Sequence, residues 1–263
     1  MNLGEASIVV RRRGLLEVVD LAFRFVAGVA PRLFVRLAAA TLLPCWLLCA
    51  FARWFLQWSW LSLWLLALAL ATLMQGVFTI AVGRLMFSEA IGAGAVLRQF
   101  LRRLPTYLGA LIATRVLIAL GSLLLLLAPL AWVSAAFVHE AVLLEGAASW
   151  IEAVRRSTSF SRHHGRSTFE LLIVLCGMMI GAVVVGEAVG HGIVEFVLQL
   201  GQPFGALREQ GGSLYAIAGL FASIPLCATT RFLAYIDART RRDGWDIQVR
   251  FMAIQAEAEQ SIR

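Results

Sequence analysis

The chain has 263 residues, 60% of them hydrophobic and 15% charged, with a mean hydropathy of +0.81. No soluble domain of this size hides so much apolar surface in one core, so lipid has to be part of the solvent. The formal net charge of +7 comes from 23 basic residues, all arginine, clustered between apolar runs; this fits loops lying on anionic headgroups and excludes a nucleic-acid surface as the expected role.

At the N-terminus, Glu17, Asp20 and Arg24 interrupt what would be the apolar region of a cleaved signal peptide, so the N-terminus is expected to be retained. These three residues lie on one face of a helix otherwise covered by leucine, valine and phenylalanine, which predicts an interfacial helix over 14–30. A first span is expected over 33–52, entered past Pro31, kinked at Pro44 and flanked by Arg32 and Arg36, whose heads can reach back to headgroups. Trp54, Trp58, Trp60 and Trp64 have the composition of an aromatic belt, with a ligand cage as the alternative. The second span is expected over 60–82, ended by Gly83 and Arg84.

Between 85 and 104, Glu89, Arg98, Arg102 and Arg103 accompany Ile91, Val96, Phe100 and Leu101, predicting a second interfacial helix closed by Pro105. The apolar stretch that follows, to Leu144, would be roughly 58 Å long as one helix, so it must fold back near Ala128 and Pro129. This gives spans over 106–127 and 130–144, the second only about 22 Å long. A third interfacial helix is expected over 147–162, then spans over 167–189 and 213–236, the last kinked at Pro225, and a charged cytoplasmic tail from 237 to 263. Cys45, Cys49, Cys176 and Cys227 all fall in apolar runs and read as packing residues.

Arginines crowd the N-terminal segment, the 84–105 and 145–166 loops and the tail, while the alternate connections are almost without them. Strict alternation is the pattern of the positive-inside rule and places both termini in the cytoplasm, with the bacterial inner membrane as the expected location. The fold class expected is therefore all-α and polytopic: a single membrane domain over 1–236 whose six spans form three hairpins, each preceded by an interfacial helix. The three units are an internal repeat of architecture and not of letters.

In GLLEVVDLAFRF before the first span, VLLEGAASWIEAVRRSTSFSRHHGR before the fifth and RFLAYIDARTRRDGWDIQ after the sixth, the chain resembles a broad family of bacterial six-span proteins. That family is related to the membrane domain of glycerophosphoryl diester phosphodiesterases. In such proteins the phosphodiesterase chemistry resides in an attached soluble domain with no counterpart here. The resemblance thus implies fold and membrane residence without hydrolase activity.

Charged side chains inside a bilayer are costly, about 2.5–3.5 kcal/mol at mid-depth on insertion scales, and point to function or to pairing. Arg115 and Glu140 are close enough in expected depth to clamp the hairpin together. The other reading is an ion or proton path through Arg115, His139 and Glu140. Both Arg115→Leu and Glu140→Gln are expected to harm folding if the clamp forms.

Glu187, His191 and Glu195 share a helix face at i, i+4 and i+8. A low-ranking metal reading competes there with a polar stripe, because the outer two are about 12 Å apart along the axis. His163 and His164 lie in the basic loop and read as solvated. Gly177 with Gly181, and Gly186 with Gly190, make small-xxx-small steps suited to close helix packing, within the chain or against a second copy.

No nucleophile elbow, Walker loop, HExxH, GxGxxG or paired-carboxylate site is present. The expected function is that of a non-catalytic membrane component without cofactor. It would bind lipid headgroups or protein partners, or a second copy of itself, through Arg98, Arg102, Arg103, Arg155, Arg156, Arg162, Arg166, Arg241 and Arg242. The rival is a transporter or channel for a small molecule, ion or lipid; an enzyme acting on lipid headgroups ranks behind both.

Overall fold

In a computed structural model, residues 14–86, 91–123, 128–144, 149–163, 165–201 and 203–243 are described, and all their regular structure is helical. The helices are α1 (Leu15–Gly28), α2 (Pro31–Trp54), α3 (Trp60–Leu85), α4 (Ala93–Leu123), α5 (Ala128–Ala135), α6 (Val138–Leu143) and α7 (Trp150–His163). They are followed by α8 (Gly165–His191), which continues as a π-helical turn over Gly192–Val197, and by α9 (Leu207–Gln210) and α10 (Leu214–Asp243). Five are long and apolar enough to cross a bilayer: α2, α3, α4, α8 with its π turn, and α10.

The most deeply buried of these is α10, which packs against α8, α3, α1 and α2. It is not the most apolar. Its buried surface includes Ser223, Thr229, Thr230 and Arg231 beside Ala216, Ile217, Ile224 and Ala228. The hydroxyls of Ser223 and Thr229 donate back to the carbonyls of Leu220 and Pro225, both at 2.7 Å, and so cost little inside the bundle. By contrast α8, apolar on every side, shows Ile173, Ile180, Val184, Val185 and Val189 to the surroundings. Lipid solvates such side chains as well as protein does, so the small and polar helix takes the centre.

Two amphipathic helices match expectation closely. In α1 the buried positions Val18, Ala22 and Phe25 follow i, i+4, i+7, while Asp20 and Arg24 pair at 3.0 Å on the outer side. In α7, Ala153, Ser157 and Ser161 form the buried stripe, and Glu152 and Arg156 pair outside it. The expected second interfacial helix, over 85–104, does not exist as a separate element. Helix α4 runs unbroken from Ala93 through Pro105 to Leu123, because one buried stripe of Val96, Phe100, Tyr107, Ala110, Leu111 and Thr114 continues past the proline. Of the three expected amphipathic segments, two are therefore separate helices.

The expected fourth span is also different. It is broken into α5, of 8 residues, and α6, of 6 residues, at Ala136 and Phe137. The Ser157 hydroxyl of α7 donates to the Ser134 carbonyl at 2.7 Å, and the Ala136 amide closes a tight turn onto Val133. All of α6 is buried, with His139 and Glu140 among its residues. Residues 87–90 with Glu89, residues 124–127 and 145–148, His164 and the tail from 244 lie outside the described residues, as do the side chains of Arg162, His163, Arg241 and Arg242. Helix α10 continues the expected sixth span through Pro225 to Asp243, beyond the point where the tail was expected to begin.

Close approaches show which ends of the helices lie together. Residues at the start of α2 (Arg32, Arg36) share a cleft with Leu85 and Ile91. Gly83 meets Leu144, and Phe137 meets Tyr235. At the opposite end Trp60 and Trp64 of α3 donate to Gln210 and to the Gly211 carbonyl, and Trp46 donates to the Leu214 carbonyl. The arginine-rich segments that are described thus gather at one end of the bundle.

The tryptophan end is a cap. Phe204 sits 5.5 Å from Trp54 and 5.1 Å from Tyr215, and Arg53 lies 4.7 Å over the Trp60 ring. Trp46, Trp60 and Trp64 thus hold the connection between α8 and α10 in place, while Trp54 and Trp58 stay about half exposed at this end. Gly205, at φ +80°, and Gly212 rest on Trp60, where a side chain would collide with the indole.

Candidate functional site

The polar centre of the molecule is built on Arg231. Its guanidinium is only 5% exposed and reaches three side chains from two other helices. Nε donates to Glu140 Oε1 at 2.8 Å, Nη1 to Gln75 Oε1 at 2.5 Å and Nη2 to Thr79 Oγ1 at 3.3 Å. Glu140 is wholly buried, so the pair is desolvated and strongly directional, and it ties α6 to α10 and α3. The second Glu140 oxygen has no hydrogen-bond partner in the structure.

Beside it stands a second pair. The Tyr107 hydroxyl lies 2.5 Å from His139 Nδ1 and 3.1 Å from the Thr72 carbonyl. The ring of Tyr107 fits only because Gly76 lacks a side chain: a Cβ there would come within 2.9 Å of the Tyr107 and Phe100 rings. On the arginine-rich side, Arg103 Nη1 donates to the Val142 carbonyl at 2.9 Å, near the end of α6. The broken arm is therefore held by side chains at His139, Glu140 and Val142, which offsets the helical hydrogen bonds lost at its break. Tyr107→Phe is expected to cost about 1–2 kcal/mol, the usual value of a buried hydrogen bond left unmade. Unfolding of the purified protein in mixed detergent micelles measures it.

The expected partnership of Arg115 with Glu140 does not form. Glu140 is taken by Arg231, and Arg115 is exposed on the outer face of α4 with one side-chain hydrogen bond, 3.2 Å to Thr72 Oγ1. A clamp across the broken arm exists, but its cation comes from α10. Arg231 lies some residues inside the predicted end of the sixth span, within the polar run Thr229-Thr230-Arg231, and that run was the available signal. In the sequence alone, an arginine so near a span end has the look of a flanking residue able to extend to headgroups.

The other predicted residues separate in the same way. Arg98, Arg102 and Arg155 are exposed at the basic end, with Arg156 paired to Glu152 and Arg166 to Glu170 at 3.0 Å. Glu187 does not join His191 and Glu195. Its carboxylate accepts from the Leu207 amide at 2.8 Å and from the Ser213 hydroxyl, tying the loop to the start of α10. His191 instead pairs with Glu195 across the π turn. No cluster of three or more metal-ligating side chains occurs among the described residues, so this structure offers no set of donors for the metal reading.

Of the two glycine steps, Gly186 and Gly190 pack on Gly219 and Tyr215 of α10, whereas Gly177 and Gly181 touch nothing and face outward. Between α8 and α10 an apolar groove of about 600 Å³ opens beside the inner step, lined by Met178, Ala182, Val185, Ala218, Gly219 and Ala222 among others.

Fold and site together define a polytopic helical membrane protein organised around a buried arginine–glutamate pair. Comparisons of the chain with protein-family models, curated proteins and solved structures give no match.

Proposed function

We propose that the chain is a non-catalytic integral component of a bacterial inner membrane that binds other membrane proteins, with its arginine-rich end and both termini in the cytoplasm. The observation that carries this reading is the contrast between centre and surface. The Arg231 guanidinium is engaged by Glu140, Gln75 and Thr79 of its own chain, while the outer faces of α4 and α8 are long, apolar and unpartnered. Contiguous exposed apolar surface is ordinary for lipid contact, but Arg115 and the open Gly177–Gly181 step give these faces features that lipid alone does not require. The broken α5–α6 arm completes a sixth pass in this topology. The loop resemblance described above is in keeping with it.

The basic end supplies the second binding element. Arg98, Arg102 and Arg155 are exposed on α4 and α7, a composition suited to anionic headgroups. A transporter reading has one observation in its favour, the unpartnered buried oxygen of Glu140 next to the Tyr107–His139 pair.

One pair of measurements separates the two. Extraction of native membranes into lipid nanodiscs, followed by mass determination, is expected to yield the chain with a stoichiometric protein partner. Vesicles containing the purified chain are expected to hold a proton gradient as well as protein-free vesicles do. A partnerless chain together with a proton leak abolished by Glu140→Gln would replace the component reading with the transporter.

A further inference from the structure

Arg115 is the one charged side chain on the described lipid-facing surface that sits far from both ends of the bundle. It lies about 18 Å along α4 from Arg103, which marks the basic end, and about 12 Å from Leu123 at the other end of the helix. The exposed residues nearest it in the helices are apolar: Ile112 and Val116 of α4, and Leu68 one turn from Thr72 on α3, with Leu65 and Leu61 continuing that line along α3 away from it. Thr72 accepts one of its five N–H groups, and no carboxylate among the described residues pairs with it. An arginine at this depth is costly, and an anion met at the same depth relieves that cost most directly.

We infer that the α3/α4 face is a docking site for a transmembrane helix of another protein that carries an Asp or Glu near its middle, and that Arg115 is the ion-pair contact. This rests on the component reading above and names the chemistry of the partner. Depth selects the occupant. A phospholipid phosphate lies at the edge of a hydrocarbon core about 30 Å thick and would have to be drawn deep into it to reach Arg115. A second copy also fits poorly. Two-fold pairing through α4 would set Arg115 against Arg115, and the described carboxylates lie toward the ends of the bundle or, as Glu140, are already paired.

The stripe Leu61, Leu65, Leu68 and Thr72 on α3 has the i, i+4, i+7, i+11 spacing of a helix-packing seam, with Arg115 at its inner end. A helix lying along that seam would bury its own apolar side chains on the leucines and bring a carboxylate to the guanidinium. Two carboxylate oxygens can take two of the remaining donors in a bidentate pair.

The test uses the full chain in phosphatidylcholine vesicles and a labelled host helix of about 20 residues, made with Glu, Gln or Leu at its centre, with energy transfer reporting binding. The Glu helix is expected to bind roughly tenfold or more tightly than the Leu helix. Arg115→Leu should erase that preference, and Arg115→Lys should keep part of it. Because Arg115 holds no other helix in place through a carboxylate, Arg115→Leu is expected to fold with at least the wild-type yield, so the loss is readable. Equal binding of the Glu and Leu helices overturns the inference. So does displacement of the Glu helix by phosphatidylglycerol, which would assign the site to lipid, or self-association of the chain that vanishes in Arg115→Leu.

A photo-crosslinker at position 112 and another at position 180 of α8, used in cells, distinguish this failure from failure of the component reading. A partner caught from α8 but not from α4 leaves the component reading intact and removes Arg115 from it. No protein caught from either face removes both.

Discussion

Arg231→Leu is expected to be the most damaging single substitution in the chain. It leaves the wholly buried Glu140 without its cation and strips Gln75 and Thr79 of their donor. Removing one member of a buried pair typically costs about 3–5 kcal/mol, since the remaining charge has neither water nor partner. Loss of folded protein after extraction, with α6 becoming accessible to a thiol probe at an introduced cysteine, reports it. Glu140→Gln should be milder, because a neutral amide can still accept from the guanidinium Nε. The double variant Arg231→Leu with Glu140→Leu is expected to recover much of the stability, because no orphaned charge then remains. If the double variant is as unstable as Arg231→Leu alone, the pair contributes through something other than charge compensation.

The second large effect is expected at the crossing of α8 and α10. A Cβ on Gly219 would collide with the Ala182 carbonyl, and one on Gly186 would lie 2.6 Å from the Gly219 Cα. Both obstacles are backbone, so no rotamer change relieves them and the helices must separate. Gly219→Val is expected to cost several kcal/mol, at or above the roughly 1–3 kcal/mol usual for overpacking. Gly177→Val and Gly181→Val, whose positions meet nothing within 4 Å, should unfold with wild-type midpoints. Thermal unfolding of the three variants beside the wild type in one detergent decides it. If Gly177→Val proves as harmful as Gly219→Val, the outer step has a partner within the molecule that these contacts do not contain.

That contrast shows how far letters alone reach. Gly177–Gly181 and Gly186–Gly190 are identical patterns in the sequence, four residues apart on the same helix. One is an internal crossing and the other is an open surface. The difference lies in Gly219 and Tyr215, more than twenty residues away in the chain, and no local rule brings them to α8.

The same limit explains Pro105. A proline after a basic amphipathic run is a sound signal of a helix end. Here the buried stripe from Val96 to Thr114 crosses it, and packing of Phe100 and Tyr107 on Gly76 compensates for the hydrogen bond that the ring removes. Residues 93–104 are the first turns of a helix that then enters the bundle.

Local pattern alone identifies a helical protein with several bilayer-length apolar segments and the connections that carry arginine. Those properties are local: length against a rise of 1.5 Å per residue, and the cost of charge in hydrocarbon, act on each segment separately. Only the tertiary structure decided which segment is central and which arginine closes the clamp. Among helices that lipid solvates equally well, apolarity does not choose the neighbours. Small residues, hydroxyls and one buried guanidinium do, which is why α10 holds the core and Arg231, not Arg115, holds Glu140.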